Sequence, residues 1–414
     1  MNNFSYKIVK YKNFIMKTKS PEPINKDSIL WADLYKFTMT WAIIKNFPSA
    51  KVRYEFIDRN NTVYPDGFAV ELRKIVNEYR NKRLSIQRKK EFSEKCTFLP
   101  AVFFDFLEGY RYDPSEVGII QTGGKLSIQI AGYWYRTCLW ETTLMEDICE
   151  LYYNMTGQSD DNVDIKNSLE KTEAKANLFY MNNAQIVDFG TRRAKSKNVH
   201  MQIVDVLSNS LLYTNFIGSS NVELALYNNI KPIGTYAHEW VSGIASMFGY
   251  AHANRIAMEY WVQTYNGNLG IALTDTFTTD SFLEDFDSKY ANLFTGVRHD
   301  SYDPFVFTDK MIDHYKKLGI APETKTIVYS DGLNPEMVIK IQNYRKGEIK
   351  KSYGIGTNLT NDIKDVKPMN IVIKLLEING MPVIKLSDSL TKHIGDEETI
   401  KFVKWQIEQR LKNK

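Results

Sequence analysis

The chain is poor in the features that mark exported, anchored or nucleic-acid-binding proteins. It has three cysteines, Cys96, Cys138 and Cys149, whose number and spacing fit neither a disulfide framework nor a C-x-x-C metal knuckle, so a reducing compartment, the cytoplasm, is expected. No apolar run approaches the ~18 residues of a membrane-spanning helix. The polar, basic stretch Met1 to Ser20 lacks the apolar segment of a signal peptide, and residues 1–27 are expected to form an extension with little bearing on chemistry. No block of one charge occurs either: 53 basic and 49 acidic residues, net +4, are spread along the chain. That excludes a nucleic-acid-binding tail and suits a small anionic substrate. The six histidines contain no H-E-x-x-H or comparable pair, so no structural zinc is expected. Gly123-Gly124-Lys125 lacks the spacing and hydroxyl of a P-loop, and GIGTNL lacks the third glycine of a dinucleotide fingerprint.

What is present is a globular composition, 43% apolar and 25% charged, in a chain longer than one core serves, which predicts two regions. Residues 28–183 mix signals into an α+β domain. They comprise a helix from Asp33 to Lys45, a strand through Val52, Tyr54 and Phe56, and a hairpin of Gly118 to Gln121 and Lys125 to Ile130 about Gly123-Gly124. Residues 184–365 carry seven apolar runs ending in polar clusters: AQIVDFGTRR, LLYTNFIGSSN, IKPIGTYAHEW, LGIALTDTF, TGVRHDSYDP, TIVYSDGLN and KSYGIGTNLT. Strands alternating with helices predict a parallel sheet closed into an irregular seven-stranded α/β barrel, whose strand-end loops gather at one rim. Residues 366–414 are expected to return to the N-terminal domain, with Asn379-Gly380 turning a last hairpin.

Each cluster has a chemical and a bland use. His238, where a strand gives way to a helix, is either a phosphate-accepting nucleophile, kept neutral by the helix N-terminus, or a helix-start residue without chemistry. Glu239 beside it either meets the helix dipole or orients the imidazole. Arg192 and Arg193 of DFGTRR match phosphate or carboxylate geometry, though arginine pairs also line solvated faces. Asp300 and Asp303 of RHDSYDP suit ribose hydroxyls or Mg2+, or cap turns. SDGLN and GIGT are glycine turns after strands, and two of them at one rim favour a phosphate cradle.

In this order, the clusters resemble the nicotinate phosphoribosyltransferase family in its long, ATP-coupled bacterial and fungal form. The resemblance runs from Ser28 to Ser389 through DLYKFTM, YEFIDRN, GYWYRTCLWE, DFGTRR, GSSN, GTYAHEW, RHDSYDP, SDGLN, YGIGTNLTND and NIVIKL. It implies an enzyme that joins nicotinate to 5-phosphoribosyl 1-pyrophosphate with Mg2+, the first step of NAD salvage from nicotinate, and that hydrolyses ATP through a phosphohistidine at His238. It implies that Phe189 stacks on the pyridine, that Tyr35 covers the other face from the partner subunit of a homodimer, and that Thr235 and Arg298 contact nicotinate. Ser220 stands where nicotinamide-using relatives carry Asp, which favours the acid. Arg192, Asp300, Asp331, Gly332, Gly356 and Thr357 are implied to serve the phosphoribosyl pyrophosphate. The metal is expected mainly on substrate pyrophosphate rather than on a protein ligand set. The family's DSGDP reads Asp300-Ser301-Tyr302-Asp303-Pro304 here; at φ > 0 that tyrosine costs about 1–2 kcal/mol, and its ring is expected to narrow the site.

Rival readings are a nicotinamide or quinolinate transferase, opposed by Ser220 and GTYAHEW, and a sugar-phosphate isomerase or aldolase, which needs a lysine or acid–base pair at a strand end. A non-catalytic descendant of the enzyme is the third.

Overall fold

The computed structural model describes residues 19–209, 215–389 and 393–412; the start of the expected extension, 1–18, and the LLYT part of the second strand cluster lie outside them. The helix Leu34–Asn46 starts at Asp33, which is extended. Strand β1 (Lys51–Asp58) follows, turning Val52 and Tyr54 into the core. The expected hairpin forms from β2 (Val117–Thr122) and β3 (Lys125–Tyr133). Its two-residue turn needs Gly123 at φ 56°, where a Cβ is costly.

The seven strand clusters form β4 (Gln185–Asp188), β5 (Phe216–Ser219), β6 (Lys231–Pro232), β7 (Ile271–Leu273), β8 (Gly296–His299), β9 (Thr326–Tyr329) and β10 (Lys350–Ile355). All pairings are parallel, in the order β6-β5-β4-β10-β9-β8-β7. The sheet curls into a half-barrel with β6 and β7 as its edges, so closure by a hydrogen-bonded ladder is not what forms. Strands of two and three residues leave little backbone to pair there. Side-chain bonds cross the seam, among them the Thr235 hydroxyl to the Ile271 carbonyl at 3.0 Å and Tyr236 with the Leu273 backbone.

The last hairpin, β11 (Ile371–Ile378) and β12 (Met381–Pro382), turns at Asn379 and Gly380, both at positive φ as an Asn-Gly turn requires. β11 lies antiparallel on β1 from Asp58↔Ile371 to Val52↔Ile378, so the five-stranded sheet β12-β11-β1-β3-β2 is built from both chain ends. The expected return of the whole C-terminal segment is corrected for its final helix. Glu397–Lys412 docks instead on the half-barrel helix Thr279–Asp285, where Arg410 Nη2 meets the buried Asp285 carboxylate at 2.6 Å. No helix among the described residues is long and apolar enough to cross a membrane. The three cysteines are buried and free.

Candidate active site

A cavity of about 340 Å³ opens at the C-terminal rim of the half-barrel, and every residue to which the resemblance gives a site role lines it: Tyr35, Phe189, Arg192, Ser220, Thr235, His238, Arg298, Asp300, Asp331, Gly332, Gly356 and Thr357. The physical reason is topological. Loops after parallel strands emerge on one side, so clusters distant in sequence converge.

His238 is the first residue of the helix His238–Phe248. Its Nε2 lies 3.0 Å from Asp300 Oδ2 and 3.6 Å from Asp275 Oδ1, and its Nδ1 lies 3.0 Å from the Thr276 hydroxyl. Burial lowers its pKa to about 4 against the pull of both carboxylates, so the ring is neutral at neutral pH. A neutral ring that donates Nε2–H to Asp300 leaves its lone pair on Nδ1, toward Thr276. Burial alone would raise the Asp300 carboxyl, but Arg298 and His238 hold it well below the usual carboxylate range. Asp300 Oδ1 also accepts from Ser330 at 2.8 Å. The Arg298 guanidinium is fixed by Ser330 (3.1 Å), Asp300 (3.1 Å) and the Tyr236 carbonyl (3.4 Å). Glu239 sits in the first turn of the helix that His238 starts, where a carboxylate meets the dipole, and its hydrogen bonds run away from the imidazole. It accepts from Lys36 (2.6 Å), Trp134 (2.7 Å) and the Tyr54 hydroxyl, pinning the His238 helix to the N-terminal domain.

Asp303 has the bland use: its Oδ1 caps the helix Pro304–Lys317 by accepting from Phe305 and Val306, 2.9 Å each. Tyr302 has φ 86°, so the strained backbone is real. Its ring does not narrow the site; it lies 42% exposed with Lys310 Nζ 5.1 Å from the ring centroid, and it is not among the cavity-lining residues.

At the other wall, the Phe189 ring packs on Gly354 of β10 so closely that a Cβ there would come within 2.2 Å of it. The chain's own Tyr35 lines the cavity. Residues 30–34 run along the rim, with Leu34 N–H donating to Ser220 O (2.7 Å) and Val222 N–H to Ala32 O (3.0 Å), and this carries Tyr35 into place. The Ser220 and Thr191 hydroxyls both donate to the buried Asp33 at 2.7 Å.

The roof of the cavity was not anticipated. β11 contributes Lys374, the segment after β12 contributes Lys385, and the end of β1 leads to Arg59. Burial, with repulsion from Lys385, Arg59 and Arg192, brings Lys374 down to about 7, and burial with Arg192 and Arg59 brings Arg193 to about 10. Cations crowded until they discourage one another's charge await a polyanion. The other omission is Asp275, after β7. With His238 and Asp300 it forms the one trio among the described residues whose ligand atoms, within 4.8 Å of one another, could hold a metal ion. Its Oδ1 is buried without a hydrogen-bond partner there. The signal for Lys374 was a lone charge in the apolar run of NIVIKL.

A curled parallel sheet whose rim gathers cations, a neutral histidine at a helix start and the rings of Phe189 and Tyr35 in one cavity is the arrangement of an α/β enzyme site. The family comparisons agree. The nicotinate phosphoribosyltransferase (NAPRTase) family profile matches residues 184–412, and that of its N-terminal domain residues 30–149. The chain is 46% identical to the nicotinate phosphoribosyltransferase of Chromohalobacter salexigens over 384 residues (91% of this chain, 97% of that one). It is 48% identical to that of Desulforapulum autotrophicum over 383 residues (90% and 96%). The crystal structure of nicotinate phosphoribosyltransferase from Porphyromonas gingivalis superposes with a TM-score of 0.88 at 39% identity, covering 92% of this chain and 99% of that one. A putative nicotinate phosphoribosyltransferase from Saccharomyces cerevisiae gives 0.87 at 35%, covering 94% and 99%. The chain belongs to the nicotinate phosphoribosyltransferase family.

Proposed function

We propose that this chain forms nicotinate mononucleotide from nicotinate and 5-phosphoribosyl 1-pyrophosphate, with ATP hydrolysed through a phosphohistidine, at the entry to NAD salvage in the cytoplasm. One observation carries the reading: a single cavity brings together the rings of Phe189 and Tyr35, the Arg298 guanidinium, cations whose pKa burial and mutual repulsion lower, and a neutral His238 whose Nε2 faces two carboxylates.

Nicotinate lies between Phe189 and Tyr35 of the same chain, its carboxylate toward Arg298 and Thr235, with neutral Ser220 sparing it the repulsion an aspartate would bring. Arg192, Asp331, Gly332, Gly356 and Thr357 cradle the phosphoribosyl group, and Asp300 meets its ribose hydroxyls. Arg59, Lys374 and Lys385 face the pyrophosphate. The pyridine nitrogen, unprotonated at neutral pH, attacks ribose C1 as pyrophosphate leaves, so positioning and charge neutralisation do the catalysis and no protein base is required. Asp275 and Asp300 fit Mg2+, since Asp275 Oδ1 is buried and unspent; they would hold the ion, which neutralises phosphate charge when bound. His238 takes the γ-phosphoryl of ATP on a ring nitrogen, ADP departs, and Asp300 holds the imidazole proton. The family resemblance also implies a homodimer; with Tyr35 supplied in cis, each chain of such a dimer carries a complete cavity.

Incubation with ATP labelled at the γ-phosphate tests this. The protein acquires an acid-labile, base-stable label, and His238→Ala does not. A label that persists in His238→Ala, or one stable to acid, contradicts the phosphohistidine.

A further inference from the structure

Behind the cavity wall, His200 is fully buried between two carboxylates that are also fully buried. Its Nε2 lies 2.8 Å from Asp188 Oδ2 and its Nδ1 3.3 Å from Glu146 Oε1. A ring with a carboxylate at each nitrogen satisfies both when both nitrogens carry protons. Burial opposes that charge, but Asp188 and Glu146 outweigh it and push the pKa up to about 10. Trp31 Nε1–H donates to Glu146, with the Trp31 ring edge-on to the imidazole at 6.5 Å, and the Ser219 hydroxyl donates to Asp188 at 2.6 Å, while Lys197, Lys82 and Glu150 act on Glu146, and Asp33 on Asp188, through space.

Asp188 is a junction for two turns. Its Oδ1 accepts from Gly190 N–H (2.8 Å), and its carbonyl accepts from Ser220 N–H (2.8 Å). It therefore ties the turn after β4, which carries Phe189, to the turn after β5, which carries Ser220. Glu146 holds the other end through Trp31, two residues before Asp33, whose carboxylate braces Thr191 and Ser220 from the opposite side. His200 lines no part of the cavity.

We infer that His200 is a positioning residue for the ring-binding end of the cavity: by bridging Asp188 and Glu146 it locks the Phe189 and Ser220 turns together, and so sets the affinity for the pyridine without touching it. The inference rests on the reading that nicotinate lies against Phe189. A network that served stability alone would, when loosened, leave the balance between the two substrates unchanged.

The test compares His200→Gln, Glu146→Gln and Phe189→Ala at a temperature where circular dichroism shows each fully folded. His200→Gln raises KM for nicotinate about tenfold and leaves KM for 5-phosphoribosyl 1-pyrophosphate within twofold. Glu146→Gln, which keeps the His200–Asp188 contact but has one acceptor oxygen where Glu146 offers two to His200 and Trp31, raises KM for nicotinate less, about threefold, and leaves KM for 5-phosphoribosyl 1-pyrophosphate within twofold. If Phe189→Ala raises KM for nicotinate and His200→Gln does not, or moves both KM values together, the inference falls and the site reading stands. If Phe189→Ala has no effect, the site reading falls first. Should His200→Gln fail to fold, wild-type protein labelled with 15N at histidine gives the answer. Both His200 ring nitrogens are protonated at pH 7.5 and their signals move on adding nicotinate more than on adding pyrophosphate; a neutral ring, or the reverse order of shifts, overturns it.

Discussion

The closest packing in the site sets its sharpest prediction. A Cβ on Gly354 would lie 2.2 Å from Phe189 Cδ2 and 2.3 Å from Cε2, whereas carbon atoms settle at about 3.5–4.0 Å. In Gly354→Ala the ring must therefore move by more than about 1 Å, off β10 and toward the space assigned to the pyridine. Overpacking of this kind costs about 1–3 kcal/mol of stability. The lost stack is worth about 0.5–1.5 kcal/mol, which lowers kcat/KM for nicotinate roughly 2- to 13-fold, with KM for 5-phosphoribosyl 1-pyrophosphate little changed. Steady-state kinetics with each substrate varied in turn provides the assay. In a Phe189→Ala background the added Gly354→Ala has nothing to displace, so the two effects are strongly non-additive. Wild-type kinetics in Gly354→Ala, or full additivity in the double variant, would refute the argument.

Three further outcomes are expected. At Tyr302, φ 86° makes a Cβ unfavourable by about 1–2 kcal/mol, so Tyr302→Gly is more stable than Tyr302→Ala by about 0.5–1 kcal/mol after glycine's entropy. Thermal unfolding that ranks alanine above glycine contradicts the strain. Ser220→Asp sets a second carboxylate beside buried Asp33, which the Ser220 hydroxyl now contacts at 2.7 Å; KM for nicotinate rises on the order of tenfold or more, and an unchanged KM rejects the placement of the ring. Lys374, lowered to about 7, is largely neutral at pH 8 and regains its proton beside a polyanion. Pyrophosphate binding measured calorimetrically at pH 8 in two buffers of different ionisation enthalpy therefore takes up protons, and Lys374→Met reduces the uptake. By the same linkage, the penalty of a depressed lysine is complete below pH 7 and fades as pH rises toward its unfolded value, so Lys374→Met stabilises more at pH 6.5 than at pH 10.

The residues of the rim were legible because their signals are local: a short apolar run, then a glycine turn or an arginine, repeated along the half-barrel. His238, Arg298 and Asp300 stand at such ends and meet in space because parallel strands point one way. The roof was not legible in the same manner. Arg59, Lys374 and Lys385 reach the cavity only because β11 pairs with β1 in the register Asp58↔Ile371, a contact between chain ends that no local pattern encodes. The chain's own Tyr35 reaches the rim through the hydrogen bonds of Leu34 and Ala32 to the segment after β5, a long-range contact that no local pattern encodes. Glu239 was weighed against the helix dipole and its neighbour His238, whereas its hydrogen-bond partners, Lys36, Tyr54 and Trp134, come from three distant segments.

The central claim is the reaction itself, and the measurement that addresses it most directly is product formation from 5-phosphoribosyl 1-pyrophosphate and Mg2+ with nicotinate or nicotinamide as the acceptor, each with and without ATP. The account predicts nicotinate mononucleotide, in greater yield with ATP, and little product from nicotinamide. No nicotinate mononucleotide from the folded wild-type protein, or a preference for nicotinamide, would contradict it.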